Sequence, residues 1–198
     1  MGSLLDALGA VVIGGLFLVA MFNALSNVQA VGYNTNMQVT LNEISERVIS
    51  GTIDDDTGET IPGISNGYLS RVGAGIDSLA VLLATDSTFQ FRIKDSVSAS
   101  IDTILIYKEN DSLKLMRNGS MEFGPFELSQ NSNNLKFTYY DEENDSISFP
   151  IATQTRRDDI RSVRIDIEFF ANTYRGDIDK RVLNNKIVLW QYFKNLYL

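Results

Sequence analysis

The sequence predicts an α+β protein in which one long amino-terminal helix packs at its rear half on an antiparallel β-sheet head. Three observations predict it. From Ala7 to Phe22 there is no polar side chain, only Ala, Val, Ile, Leu, Met, Phe and glycines. Past that run, Met37, Leu41, Ile44 and Val48 recur at spacings of four, three and four, the stripe of an amphipathic helix. From Phe89 onward the texture changes to alternating apolar and polar residues separated by short polar turns, the pattern of strands with one buried face. The expected organisation is a helix over 1–50, a loop-rich connection over 51–87 and a sheet domain over 88–198.

A helix from Ser3 to Ser50 is about 70 Å long at 1.5 Å per residue. Its first half is apolar on every side. Its second half carries Thr40, Asn42, Glu43, Glu46 and Arg47 between the apolar positions. A cleaved secretory signal would place basic residues ahead of a short apolar core and end at a small-residue cleavage site. Here Asp6 stands ahead of the run, no Lys or Arg appears until Arg47, and the apolar character passes directly into the amphipathic stripe. A plain membrane anchor accounts for Leu4 to Leu25, which is close to the roughly 20 residues that cross a bilayer core, but not for the continuation. A subunit whose front half is buried in an assembly and whose rear half packs on its own head accounts for both. Gly9, Gly14 and Gly15 each cost a helix about 1 kcal/mol relative to Ala. Where helices crowd together, small residues let backbones approach closely, although glycine is also frequent in membrane helices generally.

Gly51 to Gly75 is rich in Gly, Ser, Thr and Asp and reads as the main loop region. In the head, Phe89 to Ile93 reads as a strand. Ile101 to Tyr107 and Ser112 to Met116 flank a turn at Lys108 to Asp111, a hairpin. Leu135 to Tyr140 and Ser146 to Phe149 flank Asp141 to Asp145, a second one. Ile160 to Phe170 is the cleanest strand, with Val163, Ile165, Ile167 and Phe169 on one face. Lys186 to Phe193 supplies the last. The aromatic end, Trp190 to Leu198, reads equally as a strand tucked into the sheet and as a contact between subunits, where Trp and Tyr are favoured.

Composition narrows function. Acidic residues outnumber basic ones by 25 to 17, a net charge of −8, which argues against nucleic acid as a partner and against docking on anionic lipid through a basic patch. With no histidine and no cysteine, Ser–His–Asp and Cys–His catalysis are excluded. Carboxylate-only chemistry needs neither residue, but nothing pairs two carboxylates, so the expectation is a non-enzymatic protein without a cofactor. Asp54, Asp56 and Glu59 form an acidic loop that is a weak Ca²⁺ candidate, since that ion prefers several oxygen ligands. A solvated loop is the plainer reading. Asn110, Asn118 and Asn144 begin glycosylation sequons, and all three fall in turns.

The apolar helix, its amphipathic continuation and the β head together resemble the type IV pilin superfamily, which includes pilins and the pseudopilins of type II secretion. The stretch Gly2-Ser3-Leu4-Leu5-Asp6 is similar to the processed amino terminus of that family. If Met1 is removed, Asp6 becomes the fifth residue, where the family normally carries Glu, one methylene longer. Leu135 to Phe170 and Tyr68 to Gly75 are similar to parts of the heads of minor pilins and larger minor pseudopilins.

The resemblance implies processing at Met1 and Gly2, and assembly through Gly2, Asp6, Gly9, Gly14, Gly15, Phe17 and Phe22. It implies that the Asp6 carboxylate compensates the α-amino group of a neighbour, because a carboxylate and an ammonium among apolar helices each need a partner. It further implies a homo-oligomeric helical filament at the cell surface, an inner (cytoplasmic) membrane stage before assembly, and a pilus or secretion machinery as partner. The alternatives are a minor pilin or pseudopilin that primes or tips a secretion or adhesion filament, and a membrane-anchored module that binds an extracytoplasmic ligand.

Overall fold

In the computed structural model residues 2–53, 58–94, 100–172 and 182–197 are described. The chain is α+β: a long apolar amino-terminal helix followed by an antiparallel β head. Helix α1 runs from Gly2 to Ser50. It stops where Gly51 takes φ +94°, a left-handed conformation that only glycine adopts without strain. A Cβ at Gly51 would also meet Ile61 O at 2.2 Å. Strand β1 (Gly51–Ile53) pairs with β2 (Thr60–Pro62). Two helical turns, Ile64–Tyr68 and Leu69–Arg71, follow and bury Ile64, Tyr68 and Leu69. The stretch read as loop therefore contributes two short strands and part of the core.

The chain divides into two compact units, Met1–Thr40 with Ala171–Leu183, and Leu41–Phe170 with Asn184–Leu198. In the first, the helix leaves its apolar side chains exposed from Leu4 to Val31. Thr35 and Thr40 return their hydroxyls to the carbonyls of Val31 and Asn36, at 2.8 and 3.0 Å.

Beside the β1–β2 pair, the second unit holds most of two larger sheets where one was expected. The five-stranded sheet has the order β3 (Val81–Ala84), β4 (Thr88–Lys94), β5 (Ile101–Glu109), β6 (Ser112–Arg117) and β7 (Ser120–Glu127). The three-stranded sheet places β9 (Ser162–Asn172) between β8 (Leu135–Tyr140) and β10 (Val182–Tyr192). The expected hairpin at Lys108 to Asp111 forms, with Asn110 and Asp111 at φ 49° and 54°. The second expected hairpin does not. Ser146 makes only an isolated bridge to Tyr140, and Ile147 N donates once to Tyr139 O. Leu135 to Tyr140 pairs along its length with β9 on its other edge. The pairing with Ser146 and Ile147 goes no further: Phe149 is 41% exposed and Pro150 has no N–H to donate.

The two sheets share one aromatic core. Phe89 from β4 packs beside Phe91 of the same strand and meets Phe137 and Tyr139 from β8, and Phe193 stacks on it at 6.0 Å. The rear of α1 closes the core through Leu41, Ser45 and Val48, all buried. Ser45 occupies that face through a hydrogen bond to Leu41 O (2.8 Å), and it accepts from Asn185 Nδ2 at 2.9 Å. Met37 and Ile44, two members of the expected stripe, are only partly covered, so the helix packs mainly through its last ten residues.

Candidate functional site: the apolar helix

The site residues expected from the sequence lie on α1, and the helix arranges them. At 3.6 residues per turn, positions three or four apart share a face. Gly2, Asp6 and Gly9 therefore lie on one face, which Ile13 and Phe17 continue. Gly15 and Phe22, seven apart, lie on nearly the opposite side from Asp6. The residues do not converge on a single stripe; they surround the helix. Asp6 is exposed, Phe17 and Phe22 are 68% and 72% exposed, and nothing approaches within 4 Å of a Cβ placed at Gly9, Gly14 or Gly15.

A magnitude decides how that surface must be treated. Thirteen large apolar side chains between Leu4 and Leu25 are more than half exposed. Leaving each in water forgoes roughly 1.5–3 kcal/mol, so the total is on the order of 20 kcal/mol or more. That exceeds the roughly 5–15 kcal/mol by which a whole domain is stable. The helix is long and apolar enough to cross a membrane, and none of its most apolar window is buried within the chain. The segment is thus compatible with insertion into a membrane.

Met1, Asp54 and Asp56 lie outside the described residues. Glu59 is exposed, and no group of three or more metal-ligating side chains occurs among the described residues.

Several polar features escaped the sequence reading. Asp102, buried on β5, accepts from Arg117 Nε and Nη2 at 2.9 and 2.6 Å and from Asn118 Nδ2 at 2.7 Å. Tyr68, in the turn after β2, donates to Glu122 at 2.8 Å, and Glu122 lies 3.7 Å from Arg117. This chain of bonds ties the turn to the sheet. One signal was available: Asn118-Gly119, read only as a sequon, is a hairpin dipeptide. Both residues take positive φ, and β7 follows them. Arg156 and Arg157 sit on the short helix α2 (Gln154–Asp158). They hold the Ser148, Pro150 and Ala152 carbonyls. Arg157 lines two cavities, of about 680 and 410 Å³.

Burial, then the hydrogen bond to Glu122, pushes the Tyr68 hydroxyl well above its ordinary value, and burial does the same to Tyr139. An unfolded tyrosine ionises near pH 10. Above that pH the unfolded chain loses protons that the folded chain keeps, so stability is full below about pH 10 and falls as pH rises further. The slope is at most about 1.4 kcal/mol per pH unit for each hydroxyl. Thermal melts from pH 8 to 12 should show this decline, and Tyr68→Phe should make it shallower. An equal slope in the variant would show that Tyr68 does not contribute.

The chain matches no family model, no curated protein and no solved structure. Fold and site define it by class alone: a β-rich head closed by the end of a helix that, farther forward, is apolar enough to enter a membrane.

Proposed function

We propose that the protein is a structural subunit of a type IV pilus-like extracellular filament, assembled through α1. The observation that carries this reading is the helix, apolar on all sides over its front half, uncovered there, and continuous with an end that closes the head's own core. A single-pass anchor needs about 20 apolar residues and has no need of a further 25 continuing as helix. In this reading the front half rests first in the cytoplasmic membrane, where lipid covers it. It then passes into a bundle of like helices at the filament axis, where neighbours cover it. Assembly residues disposed all round the helix suit a bundle, in which each helix has neighbours on several sides. Asp6 balances the α-amino group of the next subunit.

The test is the state of the native chain. In material sheared from cells that make it, the protein should form thin fibres, and a probe attached at position 17 should be shielded from water within them. Recovery only as single subunits from detergent-extracted membranes, with no fibres by electron microscopy, would overturn the reading. That outcome would favour the anchored binding module. Abundance in the sheared material separates a major subunit from a minor one that primes or tips.

A further inference from the structure

We propose that the head binds a small zwitterion with an apolar body in the cavity of about 410 Å³ beside α2. That chemistry is shared by a free apolar amino acid and a short apolar peptide. The lining comes from the end of β3 with the turn after it, Leu83 to Asp86, from the stretch Phe149 to Ala152, and from Arg157 on α2. All of it belongs to the unit that holds the core of the head. The lining is mostly apolar, and Leu83 and Phe149 are 38% and 41% exposed, so a ligand has apolar surface to cover. A mostly apolar cleft of this size with a few polar groups is the usual form of a small-molecule site.

Two charges stand in that lining, and neither has a charged partner. Arg157 is half-buried. Its Nε and Nη2 donate to Gln154 Oε1 at 3.2 and 3.0 Å, and its Nη1 donates to Ala152 O at 2.8 Å. Both acceptors are neutral, and part of the guanidinium's fork of donors is left over. Arg117 and Arg164, by contrast, pair with Asp102 and Asp166. The Asp86 carboxylate accepts from Ser87 Oγ at 3.2 Å and has no cation beside it among the described residues. Asp86 and Arg157 line one cavity without pairing with each other. An anion alone would face Asp86 and a cation alone would face Arg157. A molecule with one charge of each sign compensates both, and its apolar body covers Leu83 and Phe149. The larger cavity along Arg157 sets two carboxylates, Asp77 and Asp158, beside the one guanidinium, so the same match is not made there.

The cavity is formed before any ligand arrives, which lowers the cost of binding. On one side Phe137 N donates to Asp86 O at 2.8 Å, and the Tyr139 hydroxyl donates to Thr85 O at 3.0 Å. On the other, Arg156 donates to the Ser148 and Pro150 carbonyls, both at 2.7 Å, and Arg157 holds Ala152. The Phe149 ring packs edge-on against Tyr139 at 6.0 Å, so one residue of the core steadies both sides. The site lies in the head and does not rest on the filament reading.

Calorimetry on the full-length chain in lipid nanodiscs tests it. Leucine or leucyl-leucine should bind saturably with a Kd of about 1 mM or tighter, and which of them binds more tightly tells a free amino acid from a peptide. Isocaproate, which lacks the ammonium, isoamylamine, which lacks the carboxylate, and glycine, which lacks the apolar body, should each bind at least about tenfold more weakly. Asp86 is exposed and its side chain accepts only from Ser87, so Asp86→Asn should leave the thermal melt unchanged. That variant should bind the zwitterion at least about tenfold more weakly without weakening isocaproate. No saturable binding of leucine or leucyl-leucine up to roughly 10 mM would overturn the proposal. So would isocaproate or isoamylamine binding as tightly as the zwitterions, or Asp86→Asn binding them as the parent chain does. Fibres formed normally by a chain that binds neither ligand would leave the filament reading intact while this one fails.

Discussion

Replacing Asp6 with Ala should abolish filaments or reduce them at least a hundredfold, while the head stays folded. In the proposed filament neighbouring helices replace lipid around the front of α1, and the carboxylate and the neighbouring α-amino group are both removed from water. Deleting one partner of such a pair costs about 3–5 kcal/mol, because the other charge is left buried and unpaired. At 1.4 kcal/mol per factor of ten this is a hundredfold or more in subunit addition. Asp6→Glu should restore fibres, since it keeps the charge and adds one methylene. The head's melting temperature should not move, because Asp6 is exposed and lies in the unit apart from the aromatic core. Fibre yield by electron microscopy, read beside a thermal melt, checks both halves. Normal fibres from Asp6→Ala would remove Asp6 from assembly.

Phe89→Ala should lower the stability of the head by about 3–5 kcal/mol, the usual range for removing a buried phenylalanine ring. Phe89 is fully buried and touches rings from β4, from β8 and from the segment after β10. Its loss leaves a cavity where the two sheets meet. For a domain of this size the melting temperature should fall by about 10 °C, at roughly 2–4 °C per kcal/mol. Both sheets should still melt in one transition, since the surrounding rings Phe91, Phe137, Tyr139 and Phe193 join them. A drop of less than about 1 kcal/mol, or two separate transitions, would show that the core is not shared.

Local pattern carried far in this chain, and where it stopped is informative. The helix was legible to within a residue at its start because its signals are local: apolar residues at helical spacing, with a glycine at position 51 able to take the left-handed turn. β4, β5, β6 and β9 were legible because period-two alternation marks a half-buried strand wherever it pairs. β7 was missed, since its alternation is broken at Gly124-Pro125 and its best signal is the turn ahead of it. Ser146 to Phe149 alternates like a strand yet makes only an isolated bridge to the outer edge of β8, where Phe149 is left exposed and Pro150 has no N–H to continue the pairing.

The candidate site divides the same way. That α1 needs a covering follows from the residues between Leu4 and Leu25, since no arrangement of a helix turns every side of an all-apolar segment away from its surroundings. Asp6 stood out for the same reason, as a charge beside such a segment. That Leu41, Ser45 and Val48 close the core of the head could be learned only from the tertiary structure. The buried Asp102 to Arg117 pair and the hold of Arg156 and Arg157 on the Ser148 to Ala152 segment also belong to the tertiary structure. By itself the sequence determined the elements and the surface that must be hidden, because those depend on the period and polarity of neighbouring residues. Which strands meet and which charges are paired depend on contacts between distant segments, and only folding decides those.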